Sequence, residues 1–142
     1  MTDVSMRFDG KVAIVTGAGA GLGRSHALGF ASRGAKVVVN DLGAARDGSG
    51  ASSEGAQKVV AEIKAAGGEA IADGANVADM AQVEAMVART KSAWGRVDIL
   101  VCNAGILRDK TFAKVDLADF RAVLEVHLMG SVHCCKAVWE TM

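Results

Sequence analysis

Lys11-Val-Ala-Ile-Val-Thr-Gly-Ala-Gly-Ala-Gly-Leu-Gly-Arg24 passes without interruption from a largely β-branched apolar run into four alternate glycines and the start of a helical pattern. Residues 12–15 suit a strand covered on both faces, because neither set of alternate positions is polar. Gly17, Gly19, Gly21 and Gly23 then allow backbone conformations and close approaches that a Cβ forbids. The next helix offers free N–H groups and the positive end of its dipole, which suits a dinucleotide pyrophosphate. Gly17, Gly19, Ala20, Gly21 and Leu22 are the candidate contacts. A flexible glycine turn without a ligand is the alternative reading.

The spacing is T-G-x-x-x-G-x-G; counted from Gly17, the last position of the commoner G-x-G-x-x-G fingerprint holds Leu22. Residues 35–40 (Ala-Lys-Val-Val-Val-Asn) read as a second strand, and Asp41 follows it, 18 residues after Gly23. That is close to the ~20-residue offset at which an acidic side chain accepts hydrogen bonds from an adenosine ribose.

The rest of the chain alternates in the same way. A helix is expected over 22–33, ended by Gly34, and a glycine- and serine-rich stretch at 42–52 reads as an ordered loop or a mobile flap. Ser53 is the expected cap of a helix over 54–66, whose Ala56, Val59, Val60 and Ile63 form one apolar stripe. A strand is expected over 69–74, then a helix capped by Asp79 and closed by Gly95, with Val83, Met86 and Val87 inward. Residues 97–102 form the fourth strand, 103–111 a loop, and 116 onward one long helix with Leu117, Phe120, Val123 and Leu124 inward. The order β-α-β-α-β-α-β-α implies right-handed crossovers and an α/β doubly wound parallel sheet. Its strand order would be 3-2-1-4, with the ligand crevice at the carboxyl ends of strands 1 and 4, where the Gly17 turn and Asn103 both fall.

Composition narrows the class. The chain has 142 residues, 51% of them apolar, which suits one domain, and sixteen acidic against sixteen basic residues argue against a nucleic-acid or anionic-membrane partner. The N-terminal Met-Thr-Asp-Val-Ser-Met-Arg-Phe has no apolar signal region, and no apolar run approaches ~18 residues, so a soluble cytoplasmic protein is expected. Cys102, Cys134 and Cys135 lack metal-ligand spacing and read as core thiols of a reducing compartment, with redox sensing by the adjacent Cys134 and Cys135 as the alternative; no metal is expected.

The segments TGAGAGLG, Asp41 and Cys102-Asn-Ala-Gly105 resemble the short-chain dehydrogenase/reductase family, whose signatures are T-G-x-x-x-G-x-G and N-N-A-G. Asn40-Asp-Leu-Gly43, Gly105-Ile-Leu-Arg-Asp109 and Val126-His-Leu-Met-Gly-Ser131 are similar to the (3R)-hydroxyacyl-CoA dehydrogenase part of peroxisomal multifunctional enzyme and its bacterial relatives. The resemblance implies a Rossmann-type domain over residues 1–142, NAD as cofactor and an alcohol or ketone substrate such as an acyl-CoA. It also implies a homodimer or homotetramer, in the peroxisome if the source is eukaryotic. The carboxylate of Asp41 repels a 2′-phosphate, and Ala20 and Leu42 stand where NADP-selecting members place basic residues. Arg46 is the one basic neighbour, read either as solvated or as a 2′-phosphate contact.

By the same resemblance, Asn76 and Val77 meet the adenine, with a turn asparagine as the alternative, and Asn103, Ala104 and Gly105 lie against the ribose. Cys102 replaces the first asparagine of N-N-A-G. His127 takes the place of a catalytic-network asparagine, with a satisfied core histidine as the alternative. Arg108 and Asp109 order the loop above the site, meet a substrate, or are solvated as exposed loop charges usually are. The family's hydride transfer needs a tyrosine, a lysine four residues later and an orienting serine. The sequence contains no tyrosine and its last residue, Met142, falls in the long helix. The expectation is therefore a dinucleotide-binding portion truncated before the catalytic Ser and Tyr-x-x-x-Lys. The alternative is a non-catalytic nucleotide-binding or interaction module.

Overall fold

The computed structural model describes residues 6–142; the first five residues of the polar N-terminal stretch lie outside the described residues. Four strands, β1 (Val12–Thr16), β2 (Lys36–Asn40), β3 (Glu69–Asp73) and β4 (Ile99–Val101), form one parallel sheet in the order β3-β2-β1-β4. Between them run α1 (Gly21–Ala31), α2 (Glu54–Ala65) and α3 (Met80–Trp94), followed by a 3₁₀ turn (Phe112–Lys114), α4 (Leu117–Leu124) and α5 (Gly130–Val138). The doubly wound sheet expected from the alternation is the sheet observed.

Strand periodicity explains the unbroken apolar runs. Val15, Val37 and Val39 pack on one face with Ala27 of α1 and Val59, Val60 and Ile63 of α2. Ile14 and Val38 pack on the other with Val83, Met86 and Val87 of α3 and Cys134 and Val138 of α5. The central residues of β1 and β2 are covered by helices on both faces, so their runs are apolar at every position, whereas edge strand β3 carries exposed Glu69 and Ala72. Thus the apolar stripes read in α2 and α3 are buried as expected.

The caps follow local chemistry with one exception. The Asp79 carboxylate accepts from the N–H groups of Ala81 (3.0 Å) and Gln82 (3.2 Å), and Gly95 ends α3 in the left-handed region at φ 74°. Ser53 precedes α2 but its hydroxyl caps nothing, because the residue is already helical; the hydroxyl accepts instead from the Gln57 side chain. It is the Ser52 hydroxyl that accepts from Glu54 N–H, at 3.3 Å.

The C-terminal segment departs most from expectation. The fourth strand pairs over three residues only. The long helix is interrupted by a π-helical turn at Glu125–Met129, closed by the Gly130 N–H to Glu125 C=O bond. Gly130 there packs so tightly on Val77 that a Cβ would lie 2.8 Å from Cγ2. Leu117, Phe120 and Leu124, expected inward, are 64%, 49% and 42% exposed, because no described element packs on that face; Val123 is half-buried.

Candidate functional site

Strand β1 ends at Thr16, and there the two distant motifs meet. The Thr16 hydroxyl accepts from the N–H groups of Asn103 (3.0 Å) and Ala104 (3.1 Å) and donates to Val101 C=O (3.3 Å). The Asn103 amide donates back to the carbonyls of Thr16 (2.9 Å) and Gly17 (3.1 Å). A side chain after β4 thus holds the turn after β1.

Two glycines are required by contact. Gly17 has φ 63°, and a Cβ on it would lie 2.8 Å from Ala104 Cα. A Cβ on Gly23 would overlap the Gly17 carbonyl and come 2.5 Å from Asn103 Nδ2. The turn leads into α1 through Ala20, which is extended and provides no side-chain cap. Leu22, on the first turn of α1, is exposed. An uncapped N-terminus with small residues around it is the arrangement that receives an anion.

Asp41 stands at the carboxyl end of β2, half-buried. Its Oδ2 accepts from Gly19 N–H and its Oδ1 from Gly43 N–H, each at 2.7 Å. A Cβ on Gly19 would lie 2.8 Å from Asp41 Oδ2, so the glycine turn and the acidic residue are built against each other. Asn76 forms a local turn, its Oδ1 accepting from Ala78 N–H at 3.0 Å, which is the turn-asparagine alternative. Val77 is buried, and its carbonyl contacts His133 Nδ1 at 2.9 Å.

A cavity of about 420 Å³ brings Gly17, Asp41, Asn76, Val77 and the Asn103, Ala104, Gly105 run to one place. Gly19, Ala20, Gly21 and Leu22 are outside its lining, as is His127. A larger groove of about 1170 Å³ between α3 and α5 is lined by none of these residues. The donor set of the smaller cavity suits a dinucleotide's adenosine end: Asp41 stands in its wall as a half-buried carboxylate acceptor beside the glycine turn. Gly17 in its lining packs on Ala104, and Asn40 is fully buried, its Oδ1 without a donor among the described residues.

His127 Nε2 lies 3.1 Å from Ile106 N and 2.9 Å from Ile106 O. One ring nitrogen serves one of these at a time, as acceptor or as donor according to its tautomer. Gly105 sits under the same ring, where a Cβ would be 2.6 Å from Cε1. The imidazole therefore braces the loop after β4, and it is exposed rather than a core histidine.

The cysteines correct a second expectation. Only Cys134 is buried; Cys102 and Cys135 are exposed. Hydrogen bonds from the Cys134 thiol, and then from Cys135 and Ser131, pull the Cys102 thiol down to about 6. Cys134 is pushed up by its bond to Cys102 and by burial, and Cys135 chiefly by burial. Among the described residues no group of His, Cys, Asp and Glu is arranged to hold a metal, and no helix is long and apolar enough to cross a membrane.

Sequence reasoning missed Thr16 as the staple and Asn40 as the unpartnered acceptor; Arg108 orders the loop above the site, one of its expected roles, through partners that the sequence did not name. The Arg108 guanidinium reaches Asp47 C=O and Asp119, each at 2.9 Å. Threonine at the strand end was visible in the motif, but its partners are 87 and 88 positions away.

Residues 11–142 match the profile of the short chain dehydrogenase family. The chain is 55% identical over 141 residues to peroxisomal multifunctional enzyme type 2 of Drosophila melanogaster, covering 99% of this chain and 23% of that protein. A short chain dehydrogenase from Mycobacterium avium superposes with a TM-score of 0.85 at 51% identity, covering 94% of this chain and 46% of the other. A short chain dehydrogenase/reductase from Burkholderia phymatum in complex with NAD gives 0.86 at 33% identity, covering 97% and 46%. The chain thus spans about a quarter of the Drosophila relative and just under half of each of these solved chains. With the glycine turn, the acidic strand end and the Asn103 staple all in place on this sheet, the chain belongs to the short chain dehydrogenase family.

Proposed function

We propose that the chain supplies the dinucleotide site of an NAD-dependent oxidoreductase that interconverts a secondary alcohol and a ketone, with a 3-hydroxyacyl-CoA as substrate class. The observation that carries this reading is Asp41, whose carboxylate stands at the mouth of the glycine turn with both oxygens in hydrogen-bonding positions. When bound, the nicotinamide accepts or delivers the hydride. The uncapped start of α1 would hold the pyrophosphate, Asp41 would accept from the adenosine ribose, and Asn103 would keep the turn in shape. A carboxylate at that point disfavours a 2′-phosphate by like-charge repulsion. The relative solved with NAD supports the cofactor, and the resemblance of residues 40–43, 105–109 and 126–131 to a (3R)-hydroxyacyl-CoA dehydrogenase supports the acyl-CoA class. The exposed Leu117, Phe120 and Leu124 of α4 support a homodimer or homotetramer, which sedimentation would check.

The test is a fluorescence titration of the full-length protein with NADH and NADPH. NADH should bind at least ~10-fold more tightly, and Asp41→Ala should erase the difference. Equal affinities in the unsubstituted protein would overturn the cofactor assignment. Tight NADH binding without turnover of any 3-hydroxyacyl-CoA would favour a binding module instead.

A further inference from the structure

The loop between β2 and α2 is more than a connection. Its neck is closed by the Ser52 N–H to Leu42 C=O bond (3.1 Å), and a Cβ on Gly43 would overlap the Ser52 backbone. Its tip is tied internally: Ala45 N–H to Ser49 C=O (2.8 Å), Gly48 N–H to Ala45 C=O (2.8 Å), and Ser49 N–H and hydroxyl to Asp47 Oδ1 (2.9 and 2.7 Å). A closed neck and a self-bonded tip make this segment a compact Ω-loop.

That piece lies across the loop after β4. Leu107 N–H donates to Arg46 C=O (2.8 Å), Arg108 Nε donates to Asp47 C=O (2.9 Å), and Gly48 sits against Ile106, where a Cβ would be 3.1 Å from Cδ1. Both loops line the 420 Å³ cavity, through Ala44, Ala45, Arg46 and Gly48 on one side and Ile106 and Arg108 on the other. Arg108 is held from behind by Asp119 of α4, at 2.9 Å. The pair is half-buried, with side chains 30% and 23% exposed. Lys110 and then Arg108 keep the Asp119 carboxyl below the usual carboxylate range, so the anchor stays charged.

We infer that residues 43–52 are a strap over the adenosine end of the dinucleotide site. Arg108, braced by Asp119, is the positioning residue that keeps the strap closed and so sets how fast the cofactor leaves. A planar guanidinium can bond a carbonyl and a carboxylate at once; a lysine presents one compact charge and cannot span both. The inference rests on the dinucleotide reading above, and it assigns Arg108 no contact with substrate.

The experiment is NADH dissociation from the full-length protein by stopped-flow fluorescence, with tryptic cleavage after Arg46 as a second readout. Arg108→Ala and Asp119→Asn should each raise the off-rate ~5-fold, the effect expected of losing a partly exposed charged clamp. KM for NAD should rise in step while KM for the alcohol does not, a split that general loosening would not produce. Arg108→Lys should behave like Arg108→Ala. Lys110→Ala also removes a partner of Asp119 but touches no strap atom, and should leave the off-rate unchanged. Cleavage after Arg46 should be slowed by NADH and be faster in ligand-free Arg108→Ala than in the unsubstituted protein. An off-rate for Arg108→Ala within about two-fold of the unsubstituted value, with NADH still binding, overturns the strap. So does an equal change in Lys110→Ala. Failure of the unsubstituted protein to bind NADH removes the dinucleotide reading itself, and the strap with it.

Discussion

The sheet from β1 to β3 and the segment from β4 to α5 are written in similar apolar residues, yet they are buried to different degrees. All five residues of β1 and four of the five in β2 are buried, and α2 and α3 each bury four side chains. The three residues of β4 are half-buried, and α4 buries none. Periodicity decides which residues share a face; burial needs a second face, and that comes from elsewhere in the chain or from another chain. The first region has such partners among the described residues, whereas α4 does not.

Truncating a core side chain in the first region should have the largest effect. Met86, buried between α3 and the sheet, should cost ~3 kcal/mol when changed to Ala, through lost transfer energy and a cavity. Urea unfolding would measure it, and a cost under ~1 kcal/mol would mean that this half is not close-packed.

Next come the two staples that join the regions. Thr16→Val keeps the shape but leaves the N–H groups of Asn103 and Ala104 without their acceptor, at a cost of about 2 kcal/mol. NADH affinity should fall with it, because Asn103 shapes the glycine turn. If stability falls and affinity does not, the staple is structural only.

At the opposite end of the β1–β4 pair, Asp98 Oδ2 accepts from Val12 N–H at 2.9 Å, and the carboxylate pairs with Arg96. The Arg96 bond chiefly, helped by Val12 N–H, lowers its pKa from 3.8 to about 2. A carboxylate depressed on folding stabilises fully above its unfolded value and loses that contribution as pH falls through its folded value. About 1 kcal/mol should therefore disappear between roughly pH 4 and pH 2. In Asp98→Asn the acid-unfolding profile should be flatter over that window. An unchanged slope would assign the acid sensitivity to other carboxylates.

The smallest effect is expected in the second region. Leu117→Ala, at a side chain 64% exposed, should change the stability of dilute protein by less than ~0.5 kcal/mol. A larger cost that grows with protein concentration would show that another copy covers α4, and the contrast between the two regions would then disappear on assembly.

The sheet order, the caps at Asp79 and Gly95, and the meeting of the Gly17 turn with Asn103 were readable because each rests on short-range pattern or on the rules of parallel connection. Asp41 was readable for the same reason, since its offset from the glycines follows from one helix and one strand. Thr16 as a staple, and the partners through which Arg108 orders its loop, were not. Their roles depend on atoms that pattern does not number: Asn103 and Ala104 for Thr16, and Asp47 and Asp119 for Arg108. The break at Glu125–Met129 was also invisible, because an apolar stripe looks alike whether or not a π turn shifts its register.

From the sequence alone came the alternation of strand and helix, the glycine cradle and the acid beside it. Each is set by backbone geometry and by residues close in the chain. Tertiary structure decided which apolar faces find cover, which hydroxyl holds the two motifs together and which arginine ties one loop over another. These depend on contacts between segments tens of residues apart, and only the folded sheet brings them within the few ångströms at which hydrogen bonds and packing act.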